Sequence, residues 1–246
     1  MEKIALITGA AGGLGQSVAR KLLAAGWQLV VTSRDADRLA AAYGDSHLQI
    51  VSDCSSVAGA RHIAEVAKAN NLLPTALAHC VGNIRLGALH RTSEADFMDC
   101  LNANLISAFH TLAAFVGALR DANSPGAAVL VSSAAARIGT PNHEAVAAAK
   151  AGLEGLVRGA AATYAAAAIR VNAVAPGIMD TPAAARILGS GPAREAAARQ
   201  YPLPGVGTSD ELAELMVWLL SGHAARVTGQ VWSMDAGFSS IRPLVK

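Results

Sequence analysis

The chain has 246 residues, enough for one generous domain; 52% are apolar but only 4% aromatic and 15% charged, so alanine, leucine and valine carry the hydropathy. Twenty basic against 18 acidic side chains leave a formal charge of +2, too balanced for an electrostatic nucleic-acid binder. No uninterrupted apolar run reaches the ~20 residues of a membrane-spanning helix, Met1-Glu2-Lys3 opens no signal-peptide core, and composition excludes collagenous, disordered and disulfide-stapled chains.

The expectation is a soluble, cytoplasmic, single domain over 1–246. Cys54, Cys80 and Cys100 have no CxxC spacing and read as small buried residues. The histidines show no paired-ligand spacing, so no metal site is expected.

Apolar runs alternate with helical patterns along the chain. Ile4–Ile7 reads as a buried strand and Leu14–Ala25 as a helix stopped by Gly26. Gln28–Thr32 is a second strand, Ala36–Tyr43 a helix closed by Gly44, His47–Val51 a third strand and Ser56–Asn70 a helix. After Pro74 come the strand Ala76–His79, a long helix Ser93–Leu119 and the strand Ala128–Ser132. A helix over Asn142–Ala166 leads to the strand Arg170–Val174. Prolines and glycines crowd 176–208, which reads as an irregular insertion and a mobile lid over 177–208. Asp210–Leu220 is the last helix and Gln230–Trp232 the last strand. This β-α alternation with nearly continuous apolar strands predicts a doubly wound α/β domain, one parallel sheet with helices on both faces.

The first strand runs into Thr8-Gly9-Ala10-Ala11-Gly12-Gly13-Leu14-Gly15 and then a helix, a TGxxxGxG pattern. A tight turn needs φ freedom, a phosphate needs close backbone approach, and a helix N-terminus offers unpaired N–H groups. At the first strand-to-helix junction of a βαβ unit, that combination predicts a pyrophosphate site.

With this loop in place, the chain resembles the classical short-chain dehydrogenase/reductase family from end to end. Its acidic residue after the third strand, which contacts adenine, falls on Asp53, followed by Cys54. Its Asn-Asn-Ala-Gly stretch appears as His79-Cys80-Val81-Gly82, matching only at Gly82. The catalytic asparagine, serine and lysine match Asn104, Ser133 and Lys150. Arg170–Gly177 resembles the proline-glycine segment over the nicotinamide, and Val227–Gln230 with Asp235–Gly237 the C-terminal end. The resemblance implies a seven-stranded Rossmann sheet of order 3-2-1-4-5-6-7, a small-molecule substrate and a homotetramer or homodimer. It implies dinucleotide contacts at Thr8, Gly9, Gly13, Leu14 and Gly15, at Asp53, Cys54, Gly82 and Lys150, and at Pro176, Gly177, Ile178 and Thr181. The tail Ile241–Lys246 reads as an interface arm.

In NAD-preferring members an acidic residue ends the second strand; here Ser33 stands there, followed by Arg34. A hydroxyl and a guanidinium hold a 2′-phosphate that a carboxylate would repel, so NADP(H) is expected, with NAD as the alternative. No basic residue occupies the glycine loop itself.

The family's tyrosine lies four residues before the lysine and thirteen after the serine. Both counts end on Val146, which has no titratable group. With Asn142 as helix N-cap, His143, Val146 and Lys150 share one helix face. His143-x6-Lys150 also resembles the Tyr-x6-Lys spacing of the enoyl-thioester reductases, making His143 a candidate replacement acid, since an imidazole suits proton transfer near neutrality. The expected activity is that of an NADP(H)-dependent oxidoreductase acting on a carbonyl or activated alkene of a small molecule. The alternatives are a non-catalytic nucleotide-binding scaffold, and a non-redox isomerase or dehydratase working with Ser133 and His143.

Overall fold

The computed structural model describes residues 3–242; Met1, Glu2 and 243–246, most of the expected interface arm, lie outside the described residues. Seven parallel strands form one sheet: β1 (Ile4–Thr8), β2 (Gln28–Ser33), β3 (Leu48–Val51), β4 (Ala76–His79), β5 (Gly126–Val131), β6 (Ile169–Pro176) and β9 (Val231–Met234). Their order is β3-β2-β1-β4-β5-β6-β9, the Rossmann arrangement expected. Two further two-residue strands, β7 (Met179–Asp180) and β8 (Gly207–Thr208), pair with each other apart from that sheet.

Both sheet faces are apolar because each is covered. On one, α1 (Gly13–Ala24), α2 (Ala36–Tyr43) and α9 (Ser209–Leu220) bury Val18, Leu22, Leu39, Leu212 and Met216 against β1, β2 and β4. On the other, α3 (Val57–Ala69), α5 (Ser107–Asp121) and α6 (Glu144–Tyr164) bury Ile63, Leu112, Phe115, Leu153 and Val157. Local chemistry sets the helix starts: Asp35 caps α2, Ser56 caps α3, and Thr208 forms a capping box with Glu211 on α9.

Several boundaries differ from the sequence reading. The expected helix Ser93–Leu119 is α4 (Glu94–Leu101), a π turn over Asn102–Ile106, and then α5. Ser107 Oγ donates to the Ala103 carbonyl at 2.7 Å, a back-bond that accompanies the wider turn. Taken through the π turn, Glu94–Asp121 is long and apolar enough to cross a bilayer, although no uninterrupted apolar run signalled it; its inner face lies on the sheet. Helix α6 starts at Glu144, not Asn142, because Asn142 takes a left-handed φ of +63° and His143 becomes the N-cap. The same left-handed geometry at His47 (φ +67°) delays β3 to Leu48.

The 176–208 segment is not irregular throughout. It holds β7, α7 (Ala185–Leu188), α8 (Gly191–Ala198) and β8. Its prolines had argued against helices, but Pro192 occupies the first turn of α8, where a missing N–H breaks no helical bond.

Candidate active site

Strand order reverses between β1 and β4, so the loops leaving their carboxyl ends splay apart there. Thr8 pairs with Thr32 of β2 on one side and His79 of β4 on the other. The Thr8 hydroxyl meets His79 Nδ1 at 2.8 Å inside the sheet, so its side chain lines neither cavity described below.

The loop after β1 is glycine-rich for steric reasons. Gly9 sits at φ +67°, and a Cβ there would stand 2.9 Å from the Cys80 carbonyl oxygen. Gly15 is helical, but a Cβ on it would press on the Gly9 carbonyl oxygen and lie 2.7 Å from Ala10 Cα. Gly12 is the N-cap of α1 and supplies no side-chain cap, so the first-turn N–H groups face the cleft. From Gly13 a Cβ would reach Pro182 Cδ at 3.2 Å, which brings the 177–208 segment over the loop.

Two adjoining cavities of about 490 and 260 Å³ share Gly12, Arg38 and the turn 80–83. Gly9, Ser33, Arg34, Asp53 and Cys54 line the smaller. The Asp53 carboxylate accepts from Ser55 N at 2.9 Å and Ser55 Oγ at 2.7 Å, bonds that hold it below the usual carboxylate range. Arg38 borders both cavities and donates to the Ala11 carbonyl at 3.3 Å. Sequence reasoning missed it; its place four residues after Arg34, in the first turn of α2, was the available signal. Tyr43 of the same helix donates to the Ala10 carbonyl at 2.9 Å, so α2 grips the glycine loop twice.

The larger cavity brings together Asn104, Ser133, Val146 and Lys150, roofed by Pro176, Gly177, Ile178 and Thr181. Leu14 and Gly15 from α1 and Gly82 after β4 complete its floor. Ser133 Oγ accepts from Ala135 N at 3.2 Å and keeps its own proton for the cavity. Asn104 Nδ2 is held by the Asn83 and Cys100 carbonyls at 3.1 and 2.9 Å. Its buried Oδ1 has no partner among the described residues. Lys150 Nζ donates to the Val131 carbonyl at 2.7 Å, and burial pushes its pKa down to about 8. A Cβ on Gly82 would lie 2.6 Å from Asn104 Oδ1 and 3.4 Å from Lys150 Nζ, so both atoms close on that glycine. Val146 borders this space while packing against Cys100, Ala145 and Ala149.

His143 is not brought into the cavity. Its ring turns to the chain before α6, with Nδ1 2.8 Å from the Pro141 carbonyl, and it lines neither cavity. Two supports went unread in the sequence. Ser132 Oγ donates to buried Glu154 at 2.9 Å, and Arg137 ties Glu154 to Ser233 and the Val231 carbonyl. Tyr201 accepts from Ile178 N at 2.7 Å and packs on Gly177, pinning the roof.

Residues 9–239 match the family model described as enoyl-(acyl carrier protein) reductase. The chain is 34% identical over 257 residues to cis-4-hydroxycyclohexanecarboxylate dehydrogenase of Sinomonas cyclohexanicum, covering 98% of both chains. It is 32% identical to the 3-oxoacyl-acyl-carrier-protein reductase FabG of Pseudomonas aeruginosa, covering 96% of each. Among solved structures, ElxO with NADP bound superposes with a TM-score of 0.89 at 26% identity, over 98% of this chain and 100% of that one.

Proposed function

The chain belongs to the short-chain dehydrogenase/reductase family, and from that premise we propose that it uses NADP(H) to reduce a carbonyl or activated alkene of a small molecule in the cytoplasm. One observation carries the reading: two adjoining cavities sharing Gly12, Arg38 and the turn 80–83 extend from Ser33 and Arg34 past the glycine loop to Ser133 and Lys150. The Pseudomonas relative is a 3-oxoacyl reductase, and ElxO holds NADP; both support the assignment.

The residues present fit the dinucleotide. The uncapped N-terminus of α1 receives the pyrophosphate, with Gly13 leaving it room. Ser33 and Arg34 would hold the 2′-phosphate, and Arg38, which borders both cavities beside the glycine loop, would supply a further guanidinium to the phosphates. Lys150, with donors to spare beyond Val131, serves the nicotinamide-side ribose. When bound, NADPH supplies the hydrogen and electron pair that reduce the substrate. Ser133 donates its hydroxyl proton as a hydrogen bond to the substrate oxygen and so orients the carbonyl. Val146 gives the oxygen nothing, and Ile178 with Met179 favours substrates with apolar parts.

The assembly we propose is a homodimer or homotetramer. Strand β9 is an open sheet edge bearing Trp232, 38% exposed, beside Trp218 of α9 at 37%.

Titrating NADPH by fluorescence and then adding a panel of ketones and enones while following the nicotinamide absorbance tests the function. Tight NADPH binding with consumption by at least one carbonyl or enone is expected. Binding without any consumption would replace this reading with a nucleotide-binding scaffold.

A further inference from the structure

We infer that Lys150 itself delivers the proton to the substrate oxygen, in the place where relatives of this chain use a phenol. The inference rests on the reductase reading above and names the acid that reading lacks. Among the described residues lining the larger cavity, only Arg38, Cys80 and Lys150 carry ionisable side chains. Arginine does not surrender its proton in proteins. Burial pushes the Cys80 thiol up to about 12, far from a working acid at neutrality. His143 lies outside the cavity.

Lys150 has the geometry for the task. One of its three N–H donors goes to the Val131 carbonyl, which fixes the ammonium, and Lys150 itself sits one helical turn after Val146. The others have no described acceptor, and the buried Asn104 Oδ1, without a partner among the described residues, stands on the same side of Gly82. An ammonium with free donors beside an orphaned acceptor, facing a cavity from which the phenol is missing, is arranged to meet a ligand oxygen. Of the groups around it, Cys100 and Cys80 favour the charge, but by less than burial disfavours it. His79 of β4 is a neutral ring, Cys80 and Cys100 are buried thiols, and Glu154, one turn on, is bonded to Ser132 and Arg137. Desolvation therefore dominates and brings the Lys150 pKa to about 8, close to the range in which a general acid works best at neutral pH.

The step balances. The carbonyl carbon takes a hydrogen with its electron pair from NADPH, the C=O π pair moves onto oxygen, an O–H bond forms and one Nζ–H bond breaks. The neutral amine regains a proton from solvent through the open cleft, so carbonyl, NADPH and one proton become alcohol and NADP⁺.

The chain has five lysines, so a ¹⁵N-lysine spectrum of the free protein is simple, and the signal missing in Lys150→Met identifies its ammonium. That signal is expected to titrate near 8. Carbonyl reduction is expected to fall tenfold per pH unit above that point, because the protonated form is the acid. Lys150→Arg keeps the positive charge but cannot release a proton; it should bind NADPH by fluorescence and lose reduction by about 10²-fold or more. If that variant fails to fold, the titration and the parent's pH profile decide alone. A titration near the ordinary ~10.4, a flat profile between roughly pH 7 and 9, or an active Lys150→Arg overturns the lysine acid and leaves the reductase reading standing. A parent that binds NADPH and reduces no carbonyl overturns the reductase reading, and the inference with it.

Discussion

Two arginines of different placement line the cavities proposed to hold the dinucleotide. Arg34 lines only the smaller cavity, whereas Arg38 borders both and already leans on the Ala11 carbonyl of the glycine loop. Arg34→Ala should weaken NADPH by about 1.5–3 kcal/mol, the range for hydrogen bonds to charged groups, and spare NADH. Arg38→Ala should weaken both dinucleotides, because its guanidinium stands next to the α1 N-terminus as well. Fluorescence titration of each variant with each cofactor separates the roles; equal losses on Arg34→Ala would mean that it stacks on the adenine. Val146 poses the complementary question. Restoring a phenol with Val146→Tyr sends the ring into the 490 Å³ cavity that this residue borders rather than into the Cys100 and Ala149 contacts behind it. A site with no acid at all would gain about 10²- to 10⁴-fold on ketones. Because Lys150 fills that role here, we expect a gain below about 10²-fold, read from initial rates at neutral pH.

At the scale of elements, the strands were legible because a buried parallel strand must be apolar and must be followed by a crossover helix, and their order followed from the resemblance to the family. The glycine loop was legible because its spacing reports geometry. Three features were not. The π turn at Asn104 leaves the apolar period of Glu94–Asp121 nearly intact, so nothing in composition marks it. Arg38 and Glu154 look like solvated helix charges until the tertiary fold turns one to the glycine loop and the other to Ser132. His143 shared a face with Lys150 on paper, but the left-handed Asn142 ends the helix before it and lets its ring fold back on Pro141. The glycine loop also separates packing from binding. At Gly15 an added methyl meets backbone, the Gly9 carbonyl and Ala10 Cα at 2.7 Å, so Gly15→Ala should lower stability by about 1–3 kcal/mol. At Gly13 the methyl meets only Pro182 Cδ at 3.2 Å and Ser209 Oγ at 3.8 Å. Gly13→Ala should therefore melt like the parent and bind NADPH more weakly. Thermal melts paired with cofactor titration check both; identical behaviour of the two variants would refute the distinction.

At the scale of the whole molecule, one buried histidine ties the cofactor strand to the helix that carries Asn104. His79 Nδ1 meets the Thr8 hydroxyl at 2.8 Å, and Nε2 meets Ser107 Oγ at 3.2 Å. Ser107 gives its single proton to the Ala103 carbonyl, so it can only accept from Nε2–H, and Nδ1 must accept from Thr8. In the neutral ring protonated at Nε2 both nitrogens are thus satisfied. Burial, with the Lys150 charge nearby, pushes the pKa of His79 down to about 3. In the unfolded chain the ring takes up a proton near 6.5, whereas in the folded protein it stays neutral until about 3. The unfolded state therefore binds more protons between those values, and stability falls with falling pH. It is full above about pH 6.5 and drops by about 1.4 kcal/mol for each pH unit below it. Urea midpoints measured between roughly pH 8 and 5 should show this slope. In His79→Asn, less stable at the upper end because one of the two bonds is lost, the slope should shrink by one proton's worth. A variant with the parent's full slope would show that the acid sensitivity of the fold arises elsewhere than in the Thr8–His79–Ser107 chain.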